Sequence, residues 1–273
     1  MNKKKKKRDL IIFACLTAVL FAASLLVKGN AKEENLSEVM KDAVLHESNK
    51  ISLFGLTEVN PALISALTVT CILFLFALTV RIFVIPKFKY KPGKFQILLE
   101  SLVGVFDSRA KTSSPHLNGF LGGYIFTAGV YIFVGTVFEL FGIQAITTKG
   151  LSVSLPAPLA DINGAVMLGC LSYLIILSGG IIGNRIRGVG STLKEFSLPI
   201  SMSFRLFGAL LSGALVTELV YSSIYLSFGI PVFVGVMFTL LHALIQAYVL
   251  TVLTSLFYGE VSENKNNNIT EVI

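Results

Sequence analysis

FSLPISMSFRLFGALLSGALVTELVYSSIYLSF, residues 196–228, is a 33-residue apolar run broken by one arginine, Arg205, and one glutamate, Glu218. As a single helix it would be about 50 Å long. The hydrocarbon core of a bilayer is only about 30 Å thick. Gly229-Ile230-Pro231 is a turn signal, and a second apolar run, Pro231 to Tyr258, follows it. At about 42 Å it too exceeds the bilayer. Both must tilt to hide their apolar length, so the pair predicts a helical hairpin lying far from the membrane normal.

Working outward, four more stretches qualify, or nearly so, as membrane spans: Leu10 to Val27, Pro61 to Ile85, Gly119 to Gly142 and Ile162 to Gly183. Phe95 to Phe106 is too short to cross. Leu98, Leu99, Leu102, Val103 and Phe106 recur there at helical spacing beside Glu100 and Asp107, which predicts an amphipathic interfacial helix. Composition agrees. The chain is 53% hydrophobic and 14% charged, with mean hydropathy +0.75, whereas soluble domains are roughly 25% charged. There is too little polar surface for an ordinary cytosolic enzyme. Cys15, Cys71 and Cys170 sit far apart in apolar runs, so neither a disulfide framework nor a metal site is spelled out, and no cofactor is expected. The expected fold is an all-α polytopic membrane protein. It has five core membrane helices over 61–258, an N-terminal signal peptide or anchor (1–31), an external polar segment (32–60) and a cytoplasmic tail (259–273).

The net charge of +7 reflects topology rather than nucleic-acid binding. With the N-terminus inside, segments 1–9, 81–118, 184–195 and 259–273 carry 17 Lys and Arg, against 5 in segments 28–60 and 143–161. The positive-inside rule then places the C-terminus in the cytoplasm. MNKKKKKRD followed by 18 apolar residues and Gly29-Asn30-Ala31 fits a cleaved signal and a retained anchor equally well. GNRIRGVG (183–190) is Gly-rich but lacks a preceding strand or phosphate-loop spacing. It is expected to be a connecting loop and not a nucleotide site.

Glu139, Arg205, Glu218 and His242 lie well inside apolar segments. An arginine at mid-membrane costs from about 3 to more than 10 kcal/mol, and its guanidinium cannot escape by deprotonation. Lys194 and Glu195 mark the polar edge, so Arg205 lies near 15 Å along its helix. Gly208, Ala209, Ser212 and Gly213 follow three, four, seven and eight residues on, a small-residue stripe that admits another helix closely. A partner helix bearing a carboxylate is the natural complement. Glu218 is about 20 Å further along, too far to pair with Arg205. It is either a carboxyl with a raised pKa that relays protons or a neutral, hydrogen-bonded residue at the outer interface. His242 and Gln246, with Thr239, form a polar stripe that either lines water or bonds a neighbouring helix. Glu139 is an outer-end residue with the same two readings. Asp161 and Asn163, in PAPLADIN, open the fourth long span, Asp161 either capping the helix or standing in a wet vestibule.

SMSFRLFGALLSGALV (201–216), PAPLADIN (156–163) and QAYVLTVLTSLFY (246–258), in this order and spacing, resemble subunit a of bacterial F-type ATP synthases over about residues 61–258. The resemblance implies a stator proton-channel subunit of a rotary synthase in the bacterial inner (cell) membrane. Its partners would be the c-subunit ring, the b-subunit stator stalk and the lipid bilayer. It implies that Arg205 is the essential arginine facing the c-ring, with Gly208, Ala209, Ser212 and Gly213 packing against that ring. Gln246 would be the arginine's neighbour on the last helix. Asp161, Asn163, Glu139, Glu218, His242 and Gln246 would belong to the proton path, Asp161 and Asn163 near its external end. The sequence departs from the family pattern in having Ala209 and Ala214 where asparagine and an acidic residue or histidine are common. Glu218 stands one turn beyond Ala214 and can substitute. A self-contained channel or secondary transporter is the competing class, but it would call for paired repeats or broken helices, and the sequence has neither.

Overall fold

The computed structural model describes residues 51–53, 56–146, 152–222 and 230–263, with Cys15 and Val19. The expected N-terminal span, Leu10 to Val27, otherwise lies outside the described residues, as do most of the external segment and residues 264–273 of the tail. Among the described residues from 51 on, six α-helices form: α1 (Pro61–Thr79), α2 (Lys94–Ser113), α3 (Asn118–Phe138), α4 (Ile162–Lys194), α5 (Ser197–Ser222) and α6 (Ile230–Ser262). Among the described residues four stretches are long and apolar enough to cross a membrane: Pro61–Lys87, Asn118–Phe141, Ile162–Lys194 and Val232–Ser262. Their ends follow local chemistry. Asn60 caps α1 by accepting the Ala62 N–H at 2.9 Å, with Pro61 in the first turn, where its missing donor costs nothing. Gly142, at φ 56°, closes the 3-10 turn Glu139–Phe141 that ends α3, a conformation that suits glycine.

Five features differ from the expectation. The chain is not purely helical: two short antiparallel hairpins, β1–β2 (Ile51–Leu53, Leu56–Val59) and β3–β4 (Gln144–Ile146, Ser152–Ser154), lie in the connections, where short alternating apolar and polar runs favour strands. The amphipathic helix extends on both sides of Phe95–Phe106, as α2. GNRIRGVG is not a loop. α4 breaks at Arg185, whose φ of 51° is non-helical, and the helical chain then doubles back. Tyr173 Oη donates to the Thr192 carbonyl at 3.1 Å, a contact impossible along a straight helix, where the two residues would be about 28 Å apart. The fold-back is tight because Gly180 and Gly188 meet backbone to backbone. α6 continues past Tyr258 into the predicted tail. Asp161 takes the N-cap position of α4 but makes no capping hydrogen bond. Its carboxylate instead accepts from Asn163 Nδ2, at 3.3 Å to one oxygen and 3.5 Å to the other.

The main core lies among α3, α4, α5 and α6, around Leu121, Ile125, Ile132, Ile176, Leu206 and Tyr258. A satellite cluster joins Ile51, Val69, Phe138 and Leu155 at the end of the bundle that holds the strands. Small residues set the helix spacing, as expected where bilayer and interior are equally apolar. A Cβ on Gly169 of α4 would strike the Ser203 hydroxyl and come within 2.9 Å of the Pro199 carbonyl on α5; one on Gly179 would meet the Tyr258 ring at 2.5–2.8 Å. Some polar groups inside the bundle are paired across helices. The Ser172 hydroxyl donates to Leu168 O at 2.9 Å, so it is the Tyr124 hydroxyl that donates to Ser172, at 2.7 Å. At the other end from the strands, Ser114 and Ser262 hydroxyls meet at 3.1 Å, and Asn184 Nδ2 donates to the Val261 and Glu263 carbonyls at 3.0 and 2.7 Å.

Gly169→Val should push α4 from α5 and cost about 1–3 kcal/mol, visible as a lower thermal unfolding midpoint of the detergent-solubilised protein. Gly190→Ala, which meets open space, should leave the midpoint unchanged.

Candidate functional site

α5 is two-faced. Met202, Ser203, Leu206 and Leu210 are buried against the bundle, and the Ser203 hydroxyl bonds back to Pro199 O at 2.6 Å. Ser201, Phe204, Arg205, Gly208 and Ser212 are exposed. Arg205, Gly208 and Ser212 step by three and four residues, so they form one stripe on the outer side of the helix. Nothing lies within 4 Å of where a Gly208 side chain would begin. Among the described residues no carboxylate pairs with the Arg205 guanidinium, and no hydrogen bond reaches it. A fixed cation therefore stands on the outer surface of an apolar bundle, one turn from an open glycine. Its own chain offers it no counter-charge among the described residues.

The four small residues do not share one environment. Ala209 and Gly213 are half-buried, turned toward the flank of α5. A Cβ on Gly213 would come within 3.9 Å of His242 Nδ1, so Gly213 adjoins α6 while Gly208 faces outward. His242 itself is half-buried. Its Nδ1 lies 2.8 Å from Phe238 O, and its ring packs on Phe238 with centroids 5.8 Å apart. A carbonyl can only accept, so Nδ1 carries the hydrogen and Nε2 of a neutral ring keeps the free lone pair. Gln246, one turn on, is buried at 7% exposure, with Ala243 and Leu250 on the same inward side. Glu218 is on α5, but its side chain lies outside the described residues.

Glu139 and the PAPLADIN segment meet at the strand end of the bundle. The Glu139 carboxylate accepts the backbone N–H of Ala157, which ties the end of α3 to the 3-10 turn Pro158–Ala160. That turn touches α1, α3, α4 and α5. Asp161 follows it, and Asn163, the second residue of α4, is exposed. Glu139, Asp161 and Asn163 are thus gathered at one end, His242 lies against Gly213 between α5 and α6, and Arg205 stands on the outer face.

One contact has no counterpart in the sequence reading. Arg109 of α2, half-buried, donates through Nε to Ser255 of α6 at 3.3 Å. Arg109 belongs to no recognisable motif, Ser255 lies within the 246–258 stretch, and 146 positions separate them. The hydroxyls Thr136 Oγ1 and Thr254 Oγ1 are buried without a partner among the described residues. No cluster of metal-ligating side chains occurs among the described residues.

A family model for the ATP synthase A chain matches residues 63–259, a stretch that includes every residue of the candidate site. The chain belongs to the subunit a family of F-type ATP synthases. Subunit a of Cereibacter sphaeroides is 25% identical over 178 residues, covering 61% of this chain and 68% of its own length. That of Acidothermus cellulolyticus is 27% identical over 185 residues, covering 62% and 65%. The chloroplastic subunit a of Stigeoclonium helveticum is 34% identical over 125 residues, covering 40% and 48%. As a subunit a, this chain is a multi-pass membrane protein that moves protons within the synthase complex, not the subunit that makes or breaks ATP.

Replacing Glu139 by alanine leaves the Ala157 amide without its partner, at a cost of about 1–3 kcal/mol for a buried donor. Amide exchange at Ala157 should accelerate in Glu139→Ala and stay near the native rate in Glu139→Gln, whose side-chain oxygen still accepts.

Proposed function

We propose that this subunit a offers two offset aqueous half-channels to a ring of c subunits, with Arg205 facing the ring's membrane-embedded carboxylate. The observation that carries the reading is the outward guanidinium of Arg205, unpaired among the described residues, beside the open surface at Gly208. Such a charge is costly in lipid and becomes favourable when an opposite charge arrives. On this reading the chain crosses the membrane five times between residues 61 and 262. α5 and α6 form a strongly tilted hairpin, residues 1–31 are a signal peptide or anchor, and the C-terminus is cytoplasmic.

A proton enters at the end that gathers Glu139, Asp161 and Asn163, and passes Glu218 and His242, with the free Nε2 of His242 accepting and releasing it. It neutralises a c-subunit carboxylate, which then turns into lipid uncharged. After a near-full turn the carboxyl meets Arg205. The guanidinium lowers its pKa, and the proton leaves to the other side. Because Arg205 stays charged, it also repels a hydronium that would run straight between the half-channels. Gln246, buried on α6, positions the stretch opposite the arginine. Each charge moved across 100 mV supplies about 2.3 kcal/mol. The b-subunit stalk would hold this subunit still against the turning ring.

In membrane vesicles carrying the assembled synthase, Arg205→Ala should abolish ATP-driven proton pumping, read by quenching of a pH-sensitive dye. Arg205→Lys should be severely impaired, because a point charge replaces the planar fork. Normal pumping in either variant refutes the role. Glu139→Gln separates tether from relay: the Ala157 hydrogen bond survives, so a slowed flux identifies a carboxyl that carries protons, and an unchanged flux leaves Glu139 a structural tether.

A further inference from the structure

The segment RIFVIPKFKYKPGKF, residues 81–95, connects α1 to α2, and the proton pathway makes no use of it. Arg81, Lys87, Lys89, Lys91 and Lys94 are all exposed, and no aspartate or glutamate occurs from residue 59 to residue 99. Among the described residues none of these cations meets a carboxylate. Glu100, the first acid beyond, is occupied by Gln96 Nε2 at 2.8 Å. The segment has a defined shape. Gln96 brackets Lys89, accepting its backbone N–H and donating to its carbonyl, both at 3.1 Å. A 3-10 turn at Ile85–Lys87 precedes it. The cations are thereby held against the start of α2 instead of trailing from it.

Interleaved with them are exposed apolar and aromatic groups: Phe83 at 61% exposure, Tyr90 fully exposed and Phe95 at 49%. α2 continues the pattern with Leu98, Leu102 and Val105, exposed on one side at spacings of three and four. Its C-terminal half packs on the bundle through Phe106 and Ala110, so its N-terminal half stands clear with an uncovered apolar stripe.

We propose that residues 81–95 and the first half of α2 form a docking surface for anionic phospholipid headgroups at the leaflet where α1 ends. The cations meet the phosphates, while Tyr90, Phe95 and the α2 stripe enter the boundary between headgroup and acyl chain. Two features select this occupant. Charge complementarity requires an anion, and the aromatic and leucine side chains require it to sit beside hydrocarbon; a membrane surface offers both at the end of an apolar span. The inference rests on the chain's spanning a membrane and is independent of the role of Arg205.

The full chain, reconstituted in vesicles of phosphatidylcholine with spin-labelled phosphatidylglycerol or spin-labelled phosphatidylcholine, tests it by electron paramagnetic resonance of the motionally restricted lipid. The wild type should prefer phosphatidylglycerol several-fold, and the preference should weaken in high salt. Changing Lys87, Lys89, Lys91 and Lys94 together to glutamine should bring the ratio close to one, with helix content by circular dichroism unchanged. If that variant does not fold, the two double variants, Lys87→Gln with Lys89→Gln and Lys91→Gln with Lys94→Gln, should each lose part of the preference. Equal association of the two lipids in the wild type, or an undiminished preference in the lysine variants, overturns the proposal. So does a lipid-indifferent wild type whose lysine variants only fail to assemble with the other synthase subunits, which would make the surface a protein contact.

Discussion

A guanidinium cannot lose its proton to escape an apolar environment, and the arrangement around α5 follows from that constraint. Burying Arg205 inside the bundle would demand a carboxylate from the same chain. The fold does the opposite. The inward side of α5 is given to Met202, Ser203, Leu206 and Leu210, and Arg205 goes outward, next to a surface kept open by Gly208. The charge is thus available to something that arrives from outside the chain. A permanent internal ion pair would stabilise the subunit and leave nothing for a moving carboxylate to do.

The remaining architecture keeps that face fixed. α5 is held against α4 where Gly169 admits Pro199 and Ser203, and α6 is held against α4 where Gly179 admits the Tyr258 ring. The fold-back at Arg185, pinned by Tyr173 to Thr192, closes one end of the bundle together with the Asn184 and Ser114 contacts to the end of α6. At the opposite end the Glu139–Ala157 link holds the turn before α4 against α3. Packing by small residues and a few hydrogen bonds between helices suits a protein whose surroundings offer no hydrophobic drive for helix association.

Much of this was legible in the sequence, for identifiable reasons. Long apolar runs mark helices by length alone, and a lone arginine in such a run stands out against its cost. That Arg205 and Gly208 share one helix face followed from their spacing. The same spacing grouped Gly213 with them, yet Gly213 turns toward His242, because periodicity assigns residues to a helix face without saying which neighbour occupies the groove beside it. The doubling-back at Arg185 was hidden because GNRIRGVG signals a break without its direction. The Arg109–Ser255 contact was hidden because a hydrogen bond between residues so distant in sequence leaves no local pattern. The absent cap at Asp161 shows a carboxylate choosing a side-chain amide two residues on over the helix backbone.

The central claim is that the outer side of α5, and no other side of that helix, meets the rotor. Disulfide formation in the assembled synthase tests it directly. Single cysteines at Gly208, Ser212, Met202 or Leu210 would be paired with a cysteine one turn from the c-subunit carboxylate, in a background without the cysteines at 15, 71 and 170. The account predicts cross-links from positions 208 and 212 and none from 202 and 210. Cross-links from the inward positions, or from all four alike, would contradict it.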